Sequence, residues 1–523
     1  MGKELVRRLS TQNILLVFAI SALLLVNLLY WYQYCHSRLF LALFSVLSAA
    51  LIILVVYWRI SSKKNSVTWL FVVLFLMNAA LFLFLFTPGS SPDEPYHYWS
   101  SYAVSDLISG QRVDFDANTI SARTVDTDLD LNSTTTMSFE SLSSTAEGIT
   151  LFSGESGLEQ AEVPSGSLDF GANPLYIKLP SAVGLLIGRV LGLGAYPTFI
   201  LGRVFNFALF AVLALCAIKV TPIAKTGIKV IALMPMTLHV AASYSYDAGI
   251  IGLSLLLTAF LLRLFVADEA CGYRDVAAIT VCSALLAPCK VIYVLISFCI
   301  LFVPKERFAT KRMSLVTKCV VIASGLVMIV LMRIPALISL SGAGETVSTL
   351  DYRGAESGHF YTLSDALFHP FSSALMFLRT MVNLGDFYLS TLIGGSLGWF
   401  QENIQAPDYI VFAYLLLILL SFVRSDGDDA RLRGVARLVF FVVPLIGWLA
   451  IMLSMYLGWT FNTESIVMGV QGRYLIPFLP LLLLSLRSGK LRYAGDLSTS
   501  LPLGMTLINV VYLMRIIAIS LMS

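Results

Sequence analysis

Apolar stretches long enough to cross a bilayer recur along the whole chain and constrain its fold more than any other feature. A membrane-spanning helix needs about 20 mostly apolar residues. Only 13% of the 523 residues are charged, against about 25% in soluble domains, and the mean hydropathy is +0.82. The sequence predicts an all-α polytopic membrane protein with about 13 transmembrane helices. The predicted spans are 12–32, 39–58, 67–87, 197–218, 230–245, 247–266, 275–289, 291–304, 313–333, 408–423, 435–457, 473–486 and 501–521.

Lysine and arginine collect in alternate connections between these spans. Because cytoplasmic loops carry the excess of positive charge, the pattern predicts a multi-pass protein of the cell membrane with a cytoplasmic N-terminus and an extracytoplasmic C-terminus. Two long loops, 88–196 and 334–407, then face the outside. The basic clusters lie near 3–8, 59–64, 219–229, 305–312, 424–433 and 487–492.

The long outer loops differ along their length. Residues 114–165 are rich in acidic, Ser, Thr and Gly residues, which favours a solvated loop. Segments 172–192 and 368–400 are apolar but interrupted, which favours helices lying in or dipping into the membrane interface. Lys178 and Arg189 in the first of these segments are interpreted as snorkelling interfacial side chains.

An acidic pair follows the third span in the stretch "FTPGSSPDEPYHYW", residues 86–99. Asp93 and Glu94 stand between Pro92 and Pro95, with His97 one turn later. An ordinary hydrated loop start would explain the pair alone, but the surrounding tyrosines and tryptophan favour a pocket at the outer face. Both carboxylates are expected at a wet surface, where their neutralisation costs little stability.

Further charged and polar residues fall at the outer ends of other predicted spans. Charges at membrane depth are costly, so each needs a function or a partner. Carboxylates can remove a proton from an acceptor hydroxyl, and Arg or Lys can hold a phosphate. The pattern therefore suits a reaction between a water-side acceptor and an anionic donor carried by a lipid. The candidate binding residues are His97, Arg203, His239, Asp247, Lys290, Arg473 and Tyr474.

Several motifs together resemble the bacterial membrane family filed as domain of unknown function 2142, over about residues 70 to 487. This family looks related to GT-C glycosyltransferases, polytopic enzymes that use polyprenyl-phosphate sugars. The resemblance implies a GT-C-like architecture and a catalytic acid in the first large outer loop, a role that falls on Asp93 or Glu94. The motifs are "PDEPYHYWSSYAVS", "NPLYIKLPSAVGLLIGRVLG", "GRVFNFALFAVLALCAI", "ALMPMTLHVAASYSYDAG", "GGSLGWFQENI" and "GVQGRYLIPFLP".

The resemblance divides the chain into three parts. Residues 1–66 form an N-terminal helix pair, 67–487 the GT-C-like membrane domain with both outer loops, and 488–523 a C-terminal helix. One departure concerns the motif "GWFQEN": the family often has an acidic residue soon after its Gly-Trp pair, where this chain has Gln401 and then Glu402.

The expected function is a glycosyltransferase that moves a sugar from a polyprenyl-phosphate donor to a cell-wall or surface glycan on the outer face of the lipid bilayer. The alternative is a transporter or flippase of lipid-linked saccharides, although transporters place charged sites near the membrane centre. A non-catalytic scaffold would leave the one-sided polar residues unexplained.

The sequence says less about cofactors and other partners than about the fold. Asp93 and Glu94 leave a divalent cation, Mg²⁺ or Mn²⁺, open as a cofactor. The net charge of +3 gives no reason to expect nucleic acid, and no phosphate-binding G-x-x-x-x-G-K-[ST] motif is present.

Overall fold

A computed structural model shows a mostly helical chain, at 71% helix. It describes residues 11–60, 64–129, 131, 133–154, 157–170, 174–266, 271–341, 360–426, 428, 432, 434–487 and 489–523. Parts of the predicted basic clusters, among them Lys3, Arg7, Arg8 and Lys63, lie outside the described residues. The first elements are α1 (Thr11–Tyr34), α2 (Arg38–Ile60), α3 (Lys64–Leu85), α4 (Glu94–Ser109), β1 (Val113–Asp114), β2 (Thr119–Arg123), α5 (Thr124–Thr127), α6 (Phe139–Glu147), β3 (Leu158–Glu162), α7 (Leu175–Val190) and α8 (Ala195–Val220).

The second half of the described chain contains no strand. Its helices are α9 (Lys225–Ala232), α10 (Pro235–Ala241), α11 (Asp247–Val266), α12 (Tyr273–Leu286), α13 (Val294–Phe298), α14 (Lys311–Ser341), α15 (Leu363–Phe368), α16 (Pro370–Ile393), α17 (Asp408–Ser421), α18 (Gly434–Trp459), α19 (Leu479–Leu486) and α20 (Ser500–Ser520). Short 3₁₀ helices lie at Val291–Tyr293, Cys299–Phe302, Lys305–Arg307, Glu402–Ile404 and Gly472–Phe478.

Within the described residues, eight helices are long and apolar enough to cross a membrane: α1, α2, α3, α8, α11, α14, α18 and α20. Three shorter apolar segments, Val291–Phe302, Asp408–Ser421 and Gly472–Leu486, match further predicted spans. The predicted span 230–245 is divided between α9 and α10, and Pro235 occupies the first turn of α10, where its missing N–H costs nothing. The chain is a multi-helix membrane protein; the count of 13 spans stays a prediction.

The prediction of a solvated loop for residues 114–165 is wrong. Strands β1, β2 and β3 form an antiparallel sheet in that order, and α5 and α6 accompany it. The sheet residues Ile120 and Ala122 are buried together with Tyr98, Trp99 and Tyr102 of α4. Because these aromatic rings lie outside the polar segment in sequence, the composition of the segment gives no indication of the core that it covers.

Helix α7 packs along α4 and α8. Gly184 and Gly188 lie so close to α8 that a Cβ at Gly184 would stand 2.5 Å from the Leu201 carbonyl oxygen, and one at Gly188 would stand 2.8 Å from Thr198 Oγ1. Side chains larger than hydrogen would prevent this close approach. At the other end of α7, Lys178 in the first turn contacts His97 of α4. The placement of α7 at a membrane interface stays a prediction.

Five segments converge beside the start of α4. They are the turn after α3, the first turn of α7, the start of α11, the connection between α12 and α13, and the 3₁₀ helix Gly472–Phe478. Arg473 in that 3₁₀ helix contacts both Asp93 before α4 and Asp247 at the start of α11. The fold therefore brings charges from distant parts of the sequence to one end of the helical bundle.

Candidate active site

The turn between α3 and α4 holds Asp93 in an unusual backbone conformation. Its φ of 57° and ψ of 17° lie in the left-handed region, which Asp tolerates better than most residues. The Thr87 carbonyl accepts a hydrogen bond from the Ser90 N–H (3.2 Å), and the Ser91 carbonyl accepts one from the Glu94 N–H (3.1 Å). Strained conformations of this kind concentrate at functional sites. Here the turn directs two adjacent carboxylates to different surroundings.

Glu94 forms a fully buried ion pair with Arg203 of α8, called the buried pair below. Arg203 Nε lies 2.8 Å from Glu94 Oε1 and Nη2 lies 2.6 Å from Oε2, with both side chains fully buried. The carboxylate also accepts the N–H groups of Gly89 and Tyr244, each at 3.2 Å. Arg203 donates further to carbonyls at the end of α3, namely Leu83 (3.2 Å), Phe86 (2.7 Å) and Thr87 (3.2 Å).

These contacts correct the expectation that both acids lie at a wet surface. Glu94 is completely buried and each of its oxygens accepts two hydrogen bonds. Removing one partner of such a pair leaves an uncompensated charge in a low-dielectric interior. The buried pair ties α3, α4 and α8 together, and it thereby fixes the turn that carries Asp93.

Asp93 belongs to a different group, which also includes His97, Lys178, Asp247, Lys290 and Arg473 and is called the charged cluster. Arg473 Nη2 lies 2.8 Å from Asp93 Oδ2, and Arg473 Nε lies 3.6 Å from Asp247 Oδ2. Lys290 Nζ lies 3.0 Å from Asp247 Oδ1. The Asp93 side chain is 44% exposed, whereas that of Arg473 is only 3% exposed. The partly exposed Asp93 carboxylate is thus paired with the buried Arg473 guanidinium.

The Arg473 guanidinium is incompletely hydrogen-bonded. Its Nε and Nη1 atoms are buried and have no hydrogen-bond partner among the described residues. Buried polar groups nearly always have partners, so a buried N–H without one needs an explanation. With Lys178 and Lys290, the charged cluster holds three cations against two carboxylates. Both features suit an anionic ligand.

Lys178 is not the snorkelling interfacial side chain that the sequence favours. It is buried, and its Nζ lies 2.8 Å from His97 Nδ1. Burial lowers the pKa of the Lys178 ammonium to about 7, against the opposing effect of the Asp247 and Asp93 carboxylates. Burial, with a contribution from Lys178, also lowers the pKa of His97 well below its ordinary value. The imidazole is therefore neutral near pH 7, so Nδ1 can accept a hydrogen bond from the Lys178 ammonium.

Aromatic rings connect the cations of the charged cluster. The Tyr246 ring centroid lies 5.3 Å from Lys178 Nζ and 5.1 Å from Lys290 Nζ, and the His97 ring meets it edge-on at 4.8 Å. Tyr474 lies 4.1 Å from Lys290 Nζ and contacts Arg473 at 5.5 Å. These cation–π contacts stabilise the ammonium groups without neutralising them, which leaves their charge available to a ligand.

The structure separates the remaining predicted site residues from the charged cluster. The Arg203 guanidinium forms the buried pair with Glu94. His239 packs its ring on Phe86 at 4.3 Å and near Phe82 at 6.4 Å. Arg189, which the sequence also predicts to snorkel, has a side chain only 8% exposed and forms an ion pair with Asp106 at 2.7 Å. Gln401, which follows the Gly-Trp pair of the "GWFQEN" motif, accepts the Met137 N–H at 2.6 Å.

A shared metal site at Asp93 and Glu94 does not fit this geometry. Each carboxylate is paired with a different arginine, and the Glu94 oxygens have no free position. Among the described residues, no three His, Cys, Asp or Glu side chains gather where they could hold a metal ion. A divalent cation shared by these two acids therefore has no support from their geometry, and the Mg²⁺ or Mn²⁺ cofactor stays an untested prediction.

A family model described as "Predicted membrane protein (DUF2142)" matches residues 74–482. The chain belongs to this family. The resemblance inferred from the sequence motifs is thus confirmed, and Asp93, Asp247 and Arg473 all lie within the matched residues. No curated protein matches the chain.

Two solved structures are similar at low identity. The first is ArnT from Cupriavidus metallidurans in the apo state, with 13% identity and a TM-score of 0.30; the match covers 81% of this chain and 59% of that one. The second is the same organism's ArnT bound to undecaprenyl phosphate, with 11% identity and a TM-score of 0.31, covering 86% and 78% of the respective chains.

Proposed function

We propose that the chain is a membrane glycosyltransferase that moves a sugar from a polyprenyl-phosphate donor to a cell-envelope glycan at the extracytoplasmic face. The observation that carries this proposal is the buried Arg473 guanidinium, in which two nitrogens beside a half-exposed carboxylate have no hydrogen-bond partner in the described part of the chain. A cation with free donors can bind a phosphate, and the adjacent carboxylate can accept a proton.

The two carboxylates have different parts in this proposal. Asp93 is the general base, because it is the acid of the pair that reaches the surface. Glu94 is a positioning residue, since all its hydrogen-bonding capacity is directed to Arg203 and backbone N–H groups.

The reaction follows from these placements. Asp93 accepts the proton of the acceptor hydroxyl as that oxygen bonds to C1 of the donor sugar. The bond between C1 and the phosphate oxygen breaks, and its electron pair stays on the polyprenyl phosphate. Arg473 and Lys290 stabilise the negative charge that develops there, while Lys178 adds a third cation. Asp247 keeps Lys290 and Arg473 in position through its two oxygens.

A deletion strain provides the test. The sugar composition of the cell-envelope glycans is measured in cells without the gene and in cells complemented with wild type, Asp93→Asn or the exposed control Glu140→Gln. We expect one sugar to be depleted in the deletion strain and in the Asp93→Asn strain, but to be restored by the other two. An unchanged composition in the deletion strain contradicts the proposal. Restoration by an Asp93→Asn protein made at normal levels would favour the transporter alternative.

A further inference from the structure

A polar pocket of about 340 Å³ lies between α15, the first half of α16 and the connection that follows α18. Its volume is at the lower end of the range for small-molecule sites, about 300–1,000 Å³. Arg379 in its wall stands 12 residues before Thr391 on α16, which corresponds to about 18 Å along a helix. Thr391 Oγ1 accepts the N–H of Gly472 at 2.8 Å, next to Arg473. The pocket is therefore separate from the charged cluster but connected to it by one helix.

Two stacked tyrosines form one wall of this pocket. The ring centroids of Tyr361 and Tyr456 lie 4.4 Å apart, with 17° between the ring planes. The Tyr361 hydroxyl donates to the Glu464 carbonyl at 3.1 Å, and the Tyr456 hydroxyl lies 3.2 Å from Ser373 Oγ. These contacts fix both rings before a ligand arrives. Ring surfaces of this kind give a ligand apolar contact area beside polar groups.

Charges of both signs also line the pocket. Asp365 comes from α15, Arg379 from α16 and Glu464 from the connection after α18. Asp365 Oδ2 accepts two hydrogen bonds from Thr362, at 2.8 and 2.7 Å. Within the described residues, neither Arg379 nor Glu464 has an ion-pair partner, although both face the same pocket. Because carboxylates accept hydrogen bonds and a guanidinium donates them, the lining suits a ligand that carries donors and acceptors together.

Hydroxyl groups meet this requirement, because each donates one hydrogen bond and accepts others. A simple anion would face the carboxylates, and a simple cation would face the arginine. Asp365, His369 and Glu464 are no metal site, since the described part of the chain holds no group of three such side chains placed for an ion. Ser372 and Ser465 add hydroxyls to the lining. A neutral polyhydroxyl ring therefore matches the pocket best.

We propose that this pocket binds one sugar unit of a cell-envelope glycan. Asp365 and Glu464 accept hydrogen bonds from its hydroxyls, Arg379 donates to its oxygens, and the tyrosine wall contacts its apolar face. The separation of about 18 Å along α16 suits an extended glycan whose far end reaches Asp93. That this glycan is the acceptor rests on the proposed function, whereas the binding itself does not.

Equilibrium binding to the full-length protein in detergent tests this site, without donor lipid and therefore without turnover. The probe is the oligosaccharide mixture released from the envelope of the deletion strain and labelled with a fluorophore, and the readout is fluorescence anisotropy. Arg379→Gln and Glu464→Gln should each weaken binding by about tenfold, as expected for a charge-assisted hydrogen bond. Ser465→Trp should abolish binding by filling the pocket. The controls Arg274→Gln and Glu306→Gln change exposed residues outside the pocket and should bind like wild type.

Three results would overturn the proposal. The first is the absence of saturable binding by wild type, and the second is equal affinity in the pocket variants and the controls. The third is displacement of the probe by phosphatidylethanolamine, which would assign the pocket to a lipid head group. Unchanged envelope sugars in the deletion strain would instead refute the proposed transferase function alone, because the binding measurement involves no sugar transfer.

Discussion

Asp93 and Glu94 are neighbours in sequence, yet they belong to opposite kinds of environment. Glu94 and Arg203 are both fully buried, and each Glu94 oxygen accepts two hydrogen bonds. Asp93 is nearly half exposed, and its partner Arg473 keeps two buried nitrogens, Nε and Nη1, without a hydrogen-bond acceptor among the described residues. A satisfied pair has no capacity left for a ligand, whereas an unsatisfied cation has. The comparison supports the proposal that the buried pair is scaffold and that the charged cluster binds the ligand.

The largest expected effect is on catalysis. Asp93→Asn should lower the rate of sugar transfer by about 10²–10⁴-fold, because a general base must accept the acceptor proton within hydrogen-bond reach. Asp93→Glu should also be strongly impaired, since the extra methylene displaces the carboxylate. The measurement is the rate of sugar incorporation by membrane vesicles, corrected for the amount of protein. A near-wild-type rate for Asp93→Asn would remove this residue from the mechanism.

The next effect is on stability and concerns the buried pair. Glu94→Gln or Arg203→Ala should cost about 3–5 kcal/mol of unfolding free energy, because each leaves a buried charge or donor without its partner. The double replacement Glu94→Leu with Arg203→Met should cost less than the sum of the single changes. Denaturant titration in detergent measures these values.

The exposed Arg112–Asp114 pair, with an N–O distance of 2.9 Å, serves as the control for that measurement. Its disruption should cost less than about 1 kcal/mol. Equal losses for the exposed pair and the buried pair would remove the contrast on which the scaffold role of Glu94 depends.

A smaller effect concerns pH. Burial lowers the pKa of Lys178 to about 7, so this residue is charged below that pH and loses its proton as the pH rises through it. Its contribution to phosphate binding should therefore decline between about pH 6 and pH 8. Lys178→Arg stays charged over this range, and its affinity should decline less.

The ratio of the two affinities isolates the Lys178 proton, because ionisation of the phosphate itself affects both proteins equally. The readout is the dissociation constant of undecaprenyl phosphate for each protein at several pH values. A constant ratio from pH 6 to pH 8 would show that Lys178 does not titrate at the ligand.

The sequence predicted part of this site and missed another part for identifiable reasons. Asp93, Asp247, Lys290 and Arg473 were found because charges beside apolar spans are conspicuous and all four fall at predicted outer ends. Their mutual contacts depend on packing between distant helices. Lys178 was missed because an isolated Lys in an apolar helix is usually interfacial. Its position eleven residues before Arg189 on α7 gives no indication of its contact with His97.

The fold was predictable to a similar degree. The apolar runs at α3, α8, α11 and α20 correspond to candidate spans, because length and hydropathy directly reflect the membrane as solvent. The folded structure of residues 114–165 was missed, since its small sheet gains its core from Tyr98 and Trp99 of α4. The pairing of Glu94 with Arg203 could not be read from sequence either, because 109 positions separate them.

The central claim is that Arg473 offers its free N–H groups to a phosphate. The most direct measurement is the equilibrium binding of undecaprenyl phosphate to the purified protein in detergent, for wild type, Arg473→Lys, Arg473→Ala and the surface control Arg112→Ala. Charge-assisted hydrogen bonds predict a loss of about tenfold to a hundredfold for Arg473→Ala. Arg473→Lys should fall between it and wild type, because it keeps the charge without the guanidinium fork. Wild-type affinity in a folded Arg473→Ala protein would contradict the account.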